Sequence, residues 1–300
     1  MALKVFLTGA SGLLGGNILR HLALRPHLQI CAVQRHASFT VPAAFSLGHP
    51  VLSLDLSSEN DVWNVLSNWR PNVIIHTAAM SDPVACEWQR DAATVQNILV
   101  TRLLARLAEH FGARFIFIST DLVFDGEKGN YQETDTRRPL SFYGATKAIS
   151  EDEIAQTLED YAVLRTTIML GYSPRGTRSL NERLMLDIAS ERTPTLFIDE
   201  YRSPIAVDTL AKIVVEFALN DAREARGIFH AVGNERLSRY EIGKRIFERF
   251  GVPPHRYRSA LLSEVVSTPP RPRDCSLDNR KLLSIIKTRI PSFDEMIRAL

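Results

Sequence analysis

A glycine-rich turn joining a strand to a helix, Gly9-Ala10-Ser11-Gly12-Leu13-Leu14-Gly15, restricts the fold of this chain more than any other feature. It follows the apolar run Leu3 to Leu7 and opens the helix-like stretch Leu13 to Leu24. Such a turn lets the backbone come close to a pyrophosphate and aims unpaired helix N–H groups at it. Gly9, Ser11, Gly12, Leu13, Leu14 and Gly15 are therefore expected to hold a dinucleotide, the alternative being a plain flexible loop. Further strand signals fall at 29–34, 50–54, 73–77, 114–119, 162–165 and 195–198, after a first at 4–8. Helical patterns at 59–69, 92–111 and 142–158 lie between them. Alternation of this kind predicts an α/β fold with a doubly wound parallel sheet.

Three hundred residues suggest about two domains, with one large core and a smaller lobe. The net charge of +2, from 36 basic and 34 acidic residues without a long block of one sign, gives no footing for nucleic-acid binding. Cys31, Cys86 and Cys275 are odd in number, far apart and without metal-ligand spacing, so neither disulfides nor a metal site is expected. No apolar stretch approaches the ~20 residues of a membrane helix, the glycines break the apolar run of 1–16, and no glycosylation sequon occurs. A cytoplasmic protein without membrane contact is the expectation.

Chemistry is carried by Tyr143 and Lys147, four residues apart and so on one face of a helix. An ammonium beside a phenol favours the phenolate, which is how a tyrosine comes to do acid–base work near neutral pH. Alone, this spacing also fits a packed ring and a solvated lysine. Upstream, Phe115-Ile116-Phe117-Ile118-Ser119-Thr120-Asp121 reads as a buried strand whose exit carries hydroxyls and a carboxylate. Ligands of open parallel sheets bind at such exits, so Thr120 stands where a substrate carbonyl would be, unless Thr120 and Asp121 merely cap the next turn.

Glycine turn, strand-end hydroxyl, then tyrosine and lysine is the order in which the chain resembles the extended short-chain dehydrogenase/reductase family, within it the group around dTDP-4-dehydrorhamnose reductase. The likeness also includes Thr77-Ala78-Ala79 with Glu87, Ser119 to Gly126, Tyr131 with Glu133, Arg165-Thr166, Pro204 with Asp208, and Arg271-Pro272 ahead of Leu277-Asp278. It implies a Rossmann-type domain over 1–170, to which 200–232 returns, and a smaller substrate lobe from 171–199 and 233–300. It further implies hydride transfer to a carbonyl. Thr120 would bond the carbonyl oxygen, Tyr143 donate the proton, and Lys147 hold the nicotinamide ribose and keep Tyr143 acidic. No metal is required for that step.

Where an NAD-preferring enzyme offers a carboxylate after the second strand, this chain has Gln34-Arg35-His36, and an arginine suits the 2'-phosphate of NADP. Arg35 also fits a solvated loop. By resemblance, Asp55 and Leu56 lie along adenine, with a helix cap as the alternative for Asp55. Thr77, Ala78 and Ala79 leave room for the cofactor, Ser119 lines it, and Asn97 supports Lys147 unless it is simple helix surface. His76 is given no role.

The resemblance implies a nucleotide-sugar substrate, whose diphosphate Arg175, Arg178 and Arg183, or Arg271 and Arg273, would meet. Asp121 is a further candidate for substrate contact. At Met80 and Ile168 the chain departs from the aromatic residues common in that group near the sugar. Another NADP-dependent nucleotide-sugar dehydrogenase or epimerase, and a non-catalytic NADP-binding subunit of the methionine adenosyltransferase type, stay open beside the reductase. The oligomeric state stays open as well, a homodimer included.

Overall fold

The computed structural model describes residues 2–219 and 225–300. In chain order its strands are β1 (Leu3–Thr8), β2 (Leu28–Gln34), β3 (Val51–Ser53), β4 (Val73–His76), β5 (Arg114–Thr120), β6 (Tyr161–Thr166), β7 (Met169–Leu170), β8 (Thr195–Phe197), β9 (Tyr201–Arg202), β10 (Ile205–Ala206), β11 (Gly227–His230), β12 (Leu237–Ser238) and β13 (Arg258–Ala260). Its helices are α1 (Leu13–Ala23), α2 (Ala43–Ser46), α3 (Glu59–Trp69), α4 (Pro83–Trp88), α5 (Arg90–Ala93), α6 (Val100–Phe111), α7 (Phe142–Thr157), α8 (Leu180–Ala189), α9 (Val207–Leu219), α10 (Arg239–Arg249), α11 (Arg280–Leu283) and α12 (Phe293–Arg298).

Seven strands form one sheet in the order β11-β6-β5-β4-β1-β2-β3, every neighbouring pair parallel. The sequence explains why. Val73-Ile74-Ile75-His76 is buried at every residue, as a strand covered on both faces must be. On one face α1 and α9 pack through Ile18, Leu22, Leu210, Val214 and Phe217; on the other, α3, α6 and α7 contribute Val62, Leu66, Leu104, Ala108 and Ile154. Apart from Ala108, each such side chain, fully buried, contributes about 2 kcal/mol of apolar transfer energy. Strand order reverses between β1 and β4, and the glycine turn leaves β1 at that switch point, where such sheets open a crevice.

The six expected sheet strands from 4–8 through 162–165 all occur, with ends moved by a residue or so. Two expectations change. The strand at 195–198 stays out of the sheet and pairs with β13 in a separate two-stranded ladder. The helix expected over 92–111 is interrupted by a π turn at Thr94–Leu99. That turn carries Asn97 inward, where its amide bonds the backbone N–H and C=O of Met80 and the Thr146 hydroxyl, so Asn97 is not helix surface. Segment 227–230 joins the sheet beside β6, and 207–219 covers it; residues 220–224 of the expected returning segment lie outside the described residues.

Beyond β6 the ladders β7–β10, β9–β12 and β8–β13 hold two or three residue pairs each. Ladders so short do not bury a core themselves. They rest on Ile242, Ile246, Phe247, Phe293 and Met296, which continue the α1/α9 cluster. No described helix is long and apolar enough to cross a membrane, and no group of three or more His, Cys, Asp or Glu among the described residues could hold a metal ion.

Candidate active site

At the glycine turn, close approach rather than flexibility dictates the residues. Gly9 has φ +74°, and a Cβ there would stand 2.6 Å from Thr77 Oγ1 and 2.9 Å from the Ala78 nitrogen. A Cβ on Gly15 would come within 2.1 Å of the Gly9 carbonyl oxygen. No side chain caps α1 at Gly12, so its first-turn N–H groups are left for an anion. Leu14 is buried in the core, and its contribution is its backbone.

Behind the turn runs an ordered chain of neutral hydrogen bonds. Thr101 donates its hydroxyl to the Asn97 carbonyl (2.6 Å) and so accepts from His76 Nε2 (3.1 Å). His76 Nδ1 then accepts from Thr8 Oγ1 (2.8 Å), which in turn accepts the N–H groups of Thr77 and Ala78 (3.2 Å each). Burial, with Lys147 nearby, pushes His76 down to about 3, so it stays neutral and serves to hold the 77–79 segment in place.

Tyr143 and Lys147 sit one turn apart near the start of α7. Ser141 caps that helix, its Oγ accepting from Gly144 N (3.1 Å), and Glu87 Oε1 accepts from Phe142 N (2.6 Å). A Cβ at Gly144 would lie 2.1 Å from the Leu122 carbonyl, so glycine there is what lets α7 press against the turn after β5. Glu151, two turns beyond Tyr143, is fully enclosed and ties α7 to the sheet, accepting from Ser119 Oγ (2.5 Å) and Arg165 Nη2 (2.7 Å).

Tyr143 and Lys147 are both enclosed. Tyr143 is only 9% exposed; burial, with Asp121 and Cys86 adding to it, pushes its phenol above the usual range, and a hydrogen bond with Thr120 opposes them. Lys147 is 3% exposed, and its Nζ stands 3.8 Å from the centroid of the Phe117 ring. Burial pushes that ammonium down to about 7 against the attraction of Glu151. Burial, ahead of any charge, is what raises the phenol and lowers the ammonium.

Thr120 ends β5, its Oγ1 accepting from Leu122 N (3.2 Å) and donating to Asp121 Oδ1 (3.1 Å). It thus caps the turn and faces Tyr143 at once. Ser119 donates its hydroxyl to Glu151. Asp55 closes a local turn by accepting from Ser57 N and Oγ, while Leu56 is buried in the core. Arg35 reaches across to Gln96 on the π turn and stays exposed. Ala79 and Met80 are half-buried beside the site, Met80 packing in the cluster around Tyr143; Ile168 is half-buried, packs on the large core and accepts Ile205 N through its carbonyl.

The Arg175 guanidinium lies 3.8 Å from the Phe39 ring, on the segment that follows β2. Its loop rests on α1, with Pro174 against Gly16 and the Tyr172 carbonyl accepting from Asn17. Arg178 shares that loop and is exposed. The loop contacts the β2 side of the glycine turn because Pro174 and Gly16 fit together there. A different set of arginines surrounds Glu200, which accepts from Arg271 (2.8 Å) and pairs with Arg202 (3.1 Å). Burial, with Arg271, Arg202 and Arg183 close by, pushes the Arg239 guanidinium in this group down to about 10. Sequence reasoning did not single out Glu151, Glu200, Arg202 or Arg239, which stand among other polar residues in the sequence and carry no local signal.

Over residues 3–300 the sequence matches the family described as RmlD substrate binding domain. The chain belongs to this family. Among curated proteins, methionine adenosyltransferase 2 subunit beta of Pongo abelii is 31% identical over 291 residues, 93% of this chain and 81% of that one. The probable low-salt glycan biosynthesis reductase Agl14 of Haloferax volcanii is 26% identical over 300 residues, 98% of this chain and 96% of its own. Among solved structures, dTDP-4-dehydrorhamnose reductase of Bacillus anthracis in complex with NADP superposes with a TM-score of 0.84 at 23% identity, covering 100% of this chain and 98% of that one. The RmlD-family fold accounts for the seven-stranded sheet and its flanking helices.

Proposed function

We propose that this chain is an NADPH-dependent reductase of the keto group of a nucleotide sugar. The observation that carries the reading is Thr120 at the exit of β5 hydrogen-bonded to Tyr143, with Lys147 one turn further along the buried face of α7, in a member of the RmlD family. NADPH suits the residues on two counts: a turn that a Cβ would fill, and an uncapped helix start. Gly9 to Gly15 would take the pyrophosphate, Arg35 the 2'-phosphate with Arg175 on the same side, and 77–79 the nicotinamide half. When bound, NADPH supplies the hydride. Tyr143, held protonated, gives its proton to the carbonyl oxygen; Thr120 orients that oxygen; Lys147 holds the ribose hydroxyls.

Arg271, Arg239 and Arg183 replace Arg175 and Arg178 as the groups for the substrate's diphosphate, since they converge on one place in the second lobe. A cytoplasmic protein, alone or as a homodimer, completes this reading. The likeness to methionine adenosyltransferase 2 subunit beta favours a second one, a non-catalytic NADP-binding subunit. An NADPH oxidation assay over a panel of 4-keto nucleotide sugars, run beside pull-down from the source cell, separates them. Turnover on any of these sugars supports the reductase; a stable partner with no turnover supports the subunit.

A further inference from the structure

The carboxyl end of β2, where sheets of this kind read the 2' position of an adenosine ribose, is closed on one side by a loop from far along the chain. Ala10 N, in the glycine turn, donates to the Val33 carbonyl (3.0 Å), and Gln34 Nε2 donates to the Phe39 carbonyl (2.6 Å). Residues 172–178, between β7 and α8, complete a ring with these segments. Pro174 fills the space that a Cβ on Gly16 would take, a point 3.3 Å from the Ala10 carbonyl oxygen, and the Arg175 guanidinium lies 3.8 Å from the centroid of the Phe39 ring.

The loop is fixed at its base, its tip and its flank. Glu182 accepts from Ser173 N and Oγ (2.7 Å each) and from Arg178 N (2.9 Å), Gly176 N donates to the Ser173 carbonyl (3.0 Å), and Asn17 of α1 donates to the Tyr172 carbonyl (2.9 Å). Arg175 itself is exposed, and among the described residues no carboxylate pairs with it. Segments 8–16, 34–41 and 172–178 carry Arg35, His36, Arg175 and Arg178 and not one acidic residue. Asp55, the carboxylate on which Arg35 and His36 act, is engaged by Ser57 N and Oγ. Arg35 bonds Gln96 on the π turn, toward α6, whereas Phe39 packs on the core cluster of α1, across the sheet. Two guanidinium groups thus flank one strand end from its two faces, and a dianion between them would satisfy both.

We propose that Arg175 is a second determinant of NADP over NAD. It takes the 2'-phosphate from the α1 side as Arg35 takes it from the side of the π turn, and Phe39 is the platform that aims its planar guanidinium. The inference rests on the cofactor half of the reading above. Its consequence is that cofactor choice depends on a loop 140 residues beyond Arg35, so that the 2'-phosphate ties the segment after β7 to the end of β2.

Isothermal titration of the full chain with NADP+ and NAD+, which differ only in the 2'-phosphate, tests this without turnover. Arg175→Ala should weaken NADP+ by roughly tenfold, the worth of one charge-assisted contact, and leave NAD+ within about twofold. Arg175→Lys, which keeps the cation without its planar fork, should fall between, and Phe39→Leu should cost NADP+ about threefold. If Arg175→Ala weakens both nucleotides equally, or neither, the residue is packing or surface and the proposal is overturned, even where Arg35→Ala behaves as expected and the NADP reading stands. Equal wild-type affinities for the two nucleotides would overturn that reading and the proposal together. Should the wild-type protein turn over no keto sugar while Arg175→Ala acts on NADP+ alone, Arg175 keeps this role and the reductase reading fails.

Discussion

The two halves of the molecule are held by different physics. Around the glycine turn the polar groups form a neutral chain, Thr101 to His76 to Thr8, sealed between apolar layers that include Ile18, Leu104 and Phe217. Beyond β6 the ladders are short, and charges do the holding: burial works to raise Glu200, but Arg202, Arg239 and Arg271 outweigh it and keep it an anion. An apolar layer degrades gradually when trimmed. An enclosed ion cluster fails abruptly when one partner goes, because the remaining charge is left desolvated.

The largest effect should come from the site the two halves share. Tyr143→Phe is expected to reduce turnover by about 10³, the middle of the range for a positioned acid, with NADPH affinity within about threefold. Stopped-flow turnover beside fluorescence titration measures both, and wild-type rates would remove the assigned acid. Next in size is the contrast itself. Glu200→Gln should cost about 3 kcal/mol by urea unfolding, as loss of one member of an enclosed ion cluster does, whereas Ile18→Val in the sheet half should cost about 1 kcal/mol. Equal losses would erase the distinction drawn above.

Cofactor choice should respond more modestly. NADPH is expected to bind more tightly than NADH, and Arg35→Ala to narrow the gap by roughly tenfold, the worth of one charge-assisted contact. Isothermal titration with both nucleotides decides it, and equal parent affinities would remove Arg35 from the site. The smallest effect lies at the α1–α9 seam, where Asp208 meets His21 Nε2 (2.7 Å), Arg20 (2.5 Å) and Lys212 (2.7 Å). The hydrogen bond with His21, then that with Lys212, holds this carboxyl well below the usual carboxylate range against the effect of burial. A depressed folded value means stability that is fully present above the unfolded value of about 4 and lost as pH falls below it. Its side chain is 38% exposed, so solvent screening reduces the worth of Asp208→Asn to about 0.5 kcal/mol at pH 7. Melting curves for the two proteins should keep their separation down to about pH 4 and close only as pH falls further, toward the depressed folded value.

Much of the first half was legible because its signals are local. Three or four neighbouring side chains suffice to mark Val73-Ile74-Ile75 as a buried strand or Gly9 to Gly15 as a strand–helix turn. The π turn was not legible, since its cause is Asn97 reaching Met80 and Thr146, 17 and 49 residues away. Nor was the bond from the Ser119 hydroxyl to Glu151, 32 residues further along the chain.

By itself, then, the sequence determined the parallel sheet, the place of the glycine turn at its first strand, and the spacing of Tyr143 and Lys147, because periodicity and i to i+4 geometry are properties of short segments. Only the tertiary structure decided what those groups are surrounded by. Lys147 rests on Phe117, Arg175 lies over Phe39, and Asp121 meets Arg202, 81 residues further along the chain. Desolvation and charge pairing depend on which distant segments pack together, and that is information no local pattern carries.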